Sequence, residues 1–165
     1  MPLDPDQLIS HLQLKPHPEG GFYAETFRST LPVDSSEHPA TRSASTAIYF
    51  LLRRQDVSAF HRVRSDEVWH HYLGDPLELY LLDEQGVLRT ERLGTDFARG
   101  ERPQALAERN VLQAARVAAG GVHGFVLVGC TVAPGFDFAD FELPSRAQLS
   151  ALYPAHQGLF ATLAH

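Results

Sequence analysis

From Ala44 onward the chain is a succession of short apolar runs. STAIYFLL, SAFHRV, EVWHHYL, LELYLLD, VLRTERL, QALAE, VLQAARV, GFVLVGCTV and FDFADFEL follow one another with Gly, Pro, Asp and Arg between them. Runs this short and this often interrupted predict strands of an antiparallel sandwich or barrel. Gly74-Asp75-Pro76 and Asp83-Glu84-Gln85-Gly86 supply the clearest reversals. An earlier run, HPEGGFYAETFRS, opens on two glycines. It predicts a strand with Phe22, Ala24, Thr26 and Arg28 on one face and Tyr23, Glu25 and Phe27 on the other. LPVDSSEHPATRS, polar and with two prolines, predicts a surface loop.

The period changes at both ends. Asp4 as a cap, Pro5 in the first turn, Gln7 completing a capping box, and Leu8 with Leu12 on one face predict a helix over 4–14, stopped by Lys15-Pro16. Ser145 with Gln148 makes a second capping box, Pro154 ends that helix, and a last short helix follows, so the C-terminal helices span 145–163. The expected fold is all-β, one barrel over about 20–143 flanked by short terminal helices, in a single domain of residues 1–165.

Composition narrows the partners. Fourteen Lys+Arg against twenty Asp+Glu give a formal charge of −6, which leaves no basic field for a phosphate backbone, so nucleic acid is not an expected partner. The single cysteine, Cys130, rules out a disulfide framework within the chain and reads as a small buried strand residue. No run approaches the length of a membrane span, and MPLDPDQLISHL lacks the basic and apolar regions of a signal peptide. A cytoplasmic protein with no membrane partner is expected.

Polar residues on otherwise apolar strands are the candidates for chemistry. Glu19, Tyr23, Glu25 and Arg28 put carboxylates, a phenol and a guanidinium among apolar neighbours, and Glu25 lies on the face of Tyr23 and Phe27, where burial would demand a partner. Arg28 offers a guanidinium fork for a phosphate or carboxylate, or else a surface ion pair with a glutamate. In EVWHHYL, alternation puts Glu67, Trp69 and His71 on one face and Val68, His70 and Tyr72 on the other, unless a bulge near Asp66 reverses them. Phe136, Phe138 and Phe141 suit core or dimer packing better than a substrate wall, and Asp137 and Asp140 suit turns or edges. His11, His38, His123, His156 and His165 read as surface or loop residues.

In HRVRSDEVWHHYLG, His61, Glu67 and Gly74 have the spacing of the first signature motif of the cupin superfamily, with Val63 in place of its second histidine. The second motif falls on ERNVLQAAR, where Gln113 stands in place of the third histidine. Together with HPEGGFYAETFRS, STAIYFLL and LVGCTVAPGFDFADFEL, these blocks resemble one branch of the superfamily, cupin family five or domain of unknown function 985. The resemblance implies a double-stranded β-helix, the cupin jelly-roll barrel, in a homodimer. It places a small-molecule pocket at His61 and Glu67, the implied catalytic pair. Tyr23, Glu25, Arg28, Trp69, His70, His71 and Gln113 are the implied ligand-binding residues. With two imidazoles missing from the usual set, a divalent metal ion is not the favoured cofactor; a bound ion would take His61, Glu67 and the amide oxygen of Gln113. The implied activity is binding of a carbohydrate-like or sugar-phosphate metabolite, with isomerase or epimerase turnover. A non-catalytic binding protein and a metal-dependent dioxygenase-like cupin stay open as alternatives, as does a vestigial pocket filled by Trp69, Tyr72 and phenylalanines.

Overall fold

The structure, a computed structural model, describes residues 4–165. Helix α1 (Pro5–His11) is capped by Asp4, whose carboxylate accepts from the Asp6 N–H at 2.9 Å. The helix is shorter than its sequence pattern because Gln13 turns left-handed at φ 54° and Leu14 swings inward. The chain then enters strand β1 (Lys15–Pro16), which pairs with β2 (Phe22–Arg28).

The polar loop after β2 carries a two-stranded ribbon, β3 (Pro32–Val33) and β4 (Arg42–Ser43). There follow β5 (Thr46–Arg53), β6 (Val57–His61), β7 (Asp66–Gly74), β8 (Leu77–Leu82) and β9 (Leu88–Leu93). Strands β10 (Gln104–Ala107), β11 (Leu112–Val117) and β12 (Phe125–Ala133) complete the β-region. One sheet has the order β1-β2-β5-β12-β7-β10 and the other β6-β11-β8-β9. The two face each other as a jelly roll, every pairing within them antiparallel.

Both sheets are covered on two sides, which is why runs such as YFLL and LYLL are continuous rather than alternating. Between the sheets lie Phe50, Leu52, Trp69, Leu79, Leu81 and Val128. Outside the smaller sheet, Phe60, Leu82 and Leu112 pack on Leu149 of α2 (Arg146–Leu152) and on Phe160 and Leu163 of α3 (Gln157–Leu163). Outside the larger sheet, Leu8 and Ile9 of the first helix and Leu12 just after it cover Leu51, Phe125 and Leu127. Each such large apolar side chain, fully buried, contributes about 1.5–3 kcal/mol. The capping box predicted at Ser145 and Gln148 is formed in both directions. Among the described residues no helix is long and apolar enough to cross a membrane.

One expectation is corrected here. FDFADFEL is not a strand: Asp137 caps a 3-10 turn over Phe138–Asp140 and accepts from the Ala139 N–H at 2.8 Å. Asp140 lies in that turn, as expected, and its buried carboxylate takes the Arg42 guanidinium in a fork at 2.7 and 2.9 Å. His38 is likewise buried, with Nε2 at 2.9 Å from the Ser65 hydroxyl.

Candidate functional site

The turn between β1 and β2 carries a carboxyl group into the barrel. The His17 N–H donates to the Gly21 carbonyl, and the Ala59 N–H on β6 donates to the Glu19 carbonyl at 2.8 Å, laying the turn across that strand. So close an approach needs the two glycines. Gly20 sits at φ +108°, and a Cβ there would lie 2.0 Å from the Val57 carbonyl oxygen; Gly21, at φ +73°, has Leu52 and the Leu51 carbonyl in the same position. The result is a buried Glu19 whose Oε2 lies 3.1 Å from His61 Nε2, while the Ser58 hydroxyl donates to Oε1 at 2.9 Å.

His61 ends β6 just after an irregularity in its pairing with β11, and it stands opposite Gln113 on that strand. Its Nδ1–H donates to the Ala59 carbonyl at 2.8 Å, which leaves Nε2 with a lone pair facing Glu19. Glu67 enters from β7, on the opposite sheet. The Gln113 amide donates to Glu67 Oε2 at 2.6 Å, and the Trp69 indole N–H donates to the Gln113 oxygen at 2.8 Å. This chain of two hydrogen bonds fixes the Glu67 carboxyl from a fully buried indole. Cys130, across from Trp69 on β12, borders the same cavity.

Burial sets the protonation states. Glu19 is pushed up to about 8 by desolvation, against the Ser58 hydrogen bond. Glu67 is raised by desolvation, and the Glu19 charge adds to that. His61 is lowered by desolvation, with the Glu67 charge opposing. Both directions for Glu19 and His61 favour a neutral pair over an ion pair, so one proton lies between Oε2 and Nε2. The Cys130 thiol is driven well up by burial and the two carboxylates, so it stays a thiol. His17 is pushed down to about 3 by burial and by the charge of His61.

The cavity has a volume of ≈ 40 Å³, room for roughly two or three waters. Glu19, His61, Glu67 and Cys130 form its polar part, and Tyr23, Ile48, Phe50, Val63 and Phe136 its apolar walls. A larger hollow of ≈ 340 Å³ lies at the far end of the barrel, beyond Gly74. Its buried carboxylates are already engaged: Asp75 by the N–H groups of Val122, His123 and Gly124, Glu101 by Arg92 and the Asp96 N–H.

The structure brings some of the sequence candidates together and separates others. His61, Glu67 and Gln113 converge, and Tyr23 and Glu25 border the cavity. Trp69 points inward as alternation predicts but acts through Gln113. His71 also points inward, yet four residues further along β7, where Nε2 meets the Asp75 carbonyl at 3.1 Å and the ring lines the far hollow. His70 lies on the outer face against Thr131 and Gln104. A bulge at Thr26 brings Arg28 round to Glu25, and the two form a forked ion pair at 2.9 and 2.8 Å, the simpler of the two readings offered for that arginine. Phe136 is a cavity wall rather than core. Tyr72 bulges outward, half exposed, and does not fill the cavity. Sequence reasoning grouped Glu19 with Tyr23, Glu25 and Arg28 but did not pair it with His61, and it passed over His17; the glycine pair beside Glu19 was the available signal.

The metal-ion set fails a test of its donors. The Gln113 oxygen is taken by the Trp69 indole, and the amide turns its N–H groups toward Glu67. It offers a donor where a metal needs a lone pair. Among the described residues no group of three or more His, Cys, Asp or Glu side chains is arranged to hold an ion. His61, Glu67 and Gln113 as arranged do not form a ligand set.

Three similarities bear on this geometry. The chain is 31% identical over 146 residues to the uncharacterized protein YML079W of Saccharomyces cerevisiae, covering 81% of this chain and 72% of that one. A hypothetical protein from Leishmania major superposes with a TM-score of 0.91 at 40% identity, over 97% of this chain and 98% of the other. Bacillus subtilis oxalate decarboxylase, in its R92A mutant, matches with a TM-score of 0.55 at 12% identity over 94% of this chain and 38% of its own, a likeness of fold alone. The family model described as cupin superfamily (DUF985) matches residues 6–144, nearly the whole chain, and on that match the chain belongs to this family of cupins.

Proposed function

We propose that the chain is a proton-transfer enzyme of the isomerase or epimerase kind, acting on the carbonyl end of a small carbohydrate-like metabolite. One observation carries the reading: two buried carboxyl groups and a buried imidazole share a cavity with no Arg or Lys in its lining. Burial of this kind is costly for stability and is typical of groups tuned for acid–base work near neutral pH. Glu67, whose pKa burial raises above the usual carboxylate range and whose carboxylate Gln113 orients, is the base. It takes a proton from the carbon beside the carbonyl. The C–H electron pair becomes the new C=C bond and the carbonyl π pair moves to oxygen, which takes the proton held between Glu19 and His61. Return of the Glu67 proton to the other carbon, with the O–H proton on the original carbon passing to the Glu19–His61 pair, gives the isomer; protonation of the same carbon on its opposite face, with the enol proton going back to that pair, gives the epimer.

The size of the cavity limits what enters. At ≈ 40 Å³ it admits the reacting end of a molecule, with the remainder outside past Tyr23, Glu25 and Phe136. The reading is tested by incubating the protein in D2O with small hydroxy-aldehydes and hydroxy-ketones and following C–H to C–D exchange by NMR. Exchange with at least one compound is expected, falling about 100-fold or more in Glu67→Gln and in His61→Phe. Tight binding without exchange would favour the non-catalytic binding protein instead.

A further inference from the structure

His17 holds a hydrogen-bond donor that the protein itself leaves unused. The Glu19 backbone N–H donates to His17 Nδ1 at 3.2 Å, so in the neutral ring the hydrogen is on Nε2. The side chain is only 6% exposed, yet among the described residues Nε2 has no hydrogen-bond partner, and the ring borders the cavity that holds Glu19 and Glu67. Its orientation is fixed on several sides. The Tyr23 ring stands edge-on at 4.6 Å, Phe50 at 5.9 Å and Phe141 at 5.9 Å. An N–H without a protein partner, on an immobilised ring that lines a cavity for small molecules, is satisfied when a ligand brings an acceptor oxygen.

The charges around it define that oxygen further. The lining contains Glu19, Glu25 and Glu67 and no Arg or Lys, and the Arg28 guanidinium, paired with Glu25 of that lining, is also committed to the Phe136 carbonyl. A phosphate or carboxylate brought inside would face carboxyl groups without a counter-charge. An uncharged carbonyl or hydroxyl oxygen meets no such barrier, and it gains most from the imidazole N–H when negative charge develops on it.

We propose that His17 is a catalytic residue of this site, donating Nε2–H to the carbonyl oxygen of an uncharged α-hydroxy aldehyde or ketone, and that the cavity rejects anionic head groups. The inference rests on the proton-transfer reading above and names its substrate class and its electrophile. During proton removal by Glu67 the donated hydrogen stays on Nε2 and stabilises the enolate oxygen. The proton that neutralises that oxygen comes from the Glu19–His61 pair. A neutral imidazole suits this role because it polarises the oxygen without carrying a charge of its own.

The experiment uses glycolohydroxamate, an uncharged mimic of the enediol, and its phosphorylated counterpart as the anionic probe. In 15N-labelled protein the His17 ring is expected to show a bare Nδ1 and a protonated Nε2 from pH 5 to 8, with the Nε2–H signal moving downfield on saturation with glycolohydroxamate. In His17→Phe, glycolohydroxamate should bind about 10-fold more weakly, and any C–H exchange in D2O should fall about 100-fold with KM changed much less. His17→Gln, which keeps an N–H donor, should recover part of that loss. No movement of the Nε2–H signal, tighter binding of the phosphorylated probe, or wild-type exchange in His17→Phe would each overturn the inference. A moved Nε2–H signal without exchange of any compound would leave His17 as the donor to a bound oxygen and count against turnover alone. The wild-type NMR result stands even where a variant fails to fold.

Discussion

Replacing Glu19 by glutamine is expected to remove most of one component of the pH dependence of stability. In the unfolded chain this carboxyl titrates near 4.5, and in the folded chain it is pushed up to about 8 by burial. Below pH 4.5 it is neutral in both states. Between 4.5 and 8 the folded chain holds a proton that the unfolded chain has released, so stability declines as pH rises, and above 8 the loss is complete. At about 1.36 kcal/mol per decade, a rise of this size corresponds to a ceiling of about 5 kcal/mol. Water entering the cavity and a compensating proton on His61 reduce it, so a measured loss of about 2–4 kcal/mol is expected. Glutamine keeps the hydrogen bonds: its oxygen accepts from Ser58 and its amide N–H donates to His61 Nε2, in place of the carboxyl group. Urea unfolding from pH 5 to 9, evaluated with a common m-value, should place the two proteins within about 1 kcal/mol at pH 5 and the variant about 2–4 kcal/mol ahead at pH 9. Burial raises Glu67 in both proteins, and the part of its shift that comes from the Glu19 charge is lost with the substitution and counts in the difference. Parallel curves, or a wild type that gains on the variant as pH rises, would refute a neutral buried Glu19.

Three further substitutions probe how the site is held. Asp75→Ala strips three backbone N–H groups at residues 122–124 of their acceptor and should cost about 3 kcal/mol by urea unfolding, with new protease cleavage in that loop. Arg42→Ala leaves the Asp140 carboxylate buried without its fork and should cost about 3–5 kcal/mol, whereas Arg42→Met with Asp140→Leu should cost much less, as a double-mutant cycle will show. Gly20→Ala puts a methyl group against the Val57 carbonyl at a positive φ and should cost more than about 2 kcal/mol, displacing Glu19 and flattening the pH dependence described above.

Strand parity was legible in the sequence because it is a local property. EVWHHYL alternates, and Glu67, Trp69 and His71 do face inward. Depth along the strand was not legible: four residues at about 3.3 Å each carry His71 some 13 Å from Glu67, to the other end of the barrel. The partner of His61 was hidden for a related reason. Glu19 is distant in sequence, and only the turn built on Gly20 and Gly21 brings it there. FDFADFEL alternates as a strand would, but its aspartate at 137 is a better cap than a strand residue, and capping prevailed. Arg42, Asp140 and His38 looked like loop residues, since nothing local reveals a buried pairing between two loops far apart in the chain. The cupin spacing picked out His61 and Glu67, which the fold brings to one cavity, while the indole bond that reorients Gln113 belongs to tertiary packing and has no trace in the motif.

The shared proton is the point on which the account turns, and neutron diffraction from a deuterium-exchanged crystal near pH 6.5 would locate it. The prediction is one deuterium on His61 Nδ1 facing the Ala59 carbonyl and one between His61 Nε2 and Glu19 Oε2, on an uncharged pair. An imidazolium with deuterium bonded to both nitrogens beside an ionised Glu19 would contradict it.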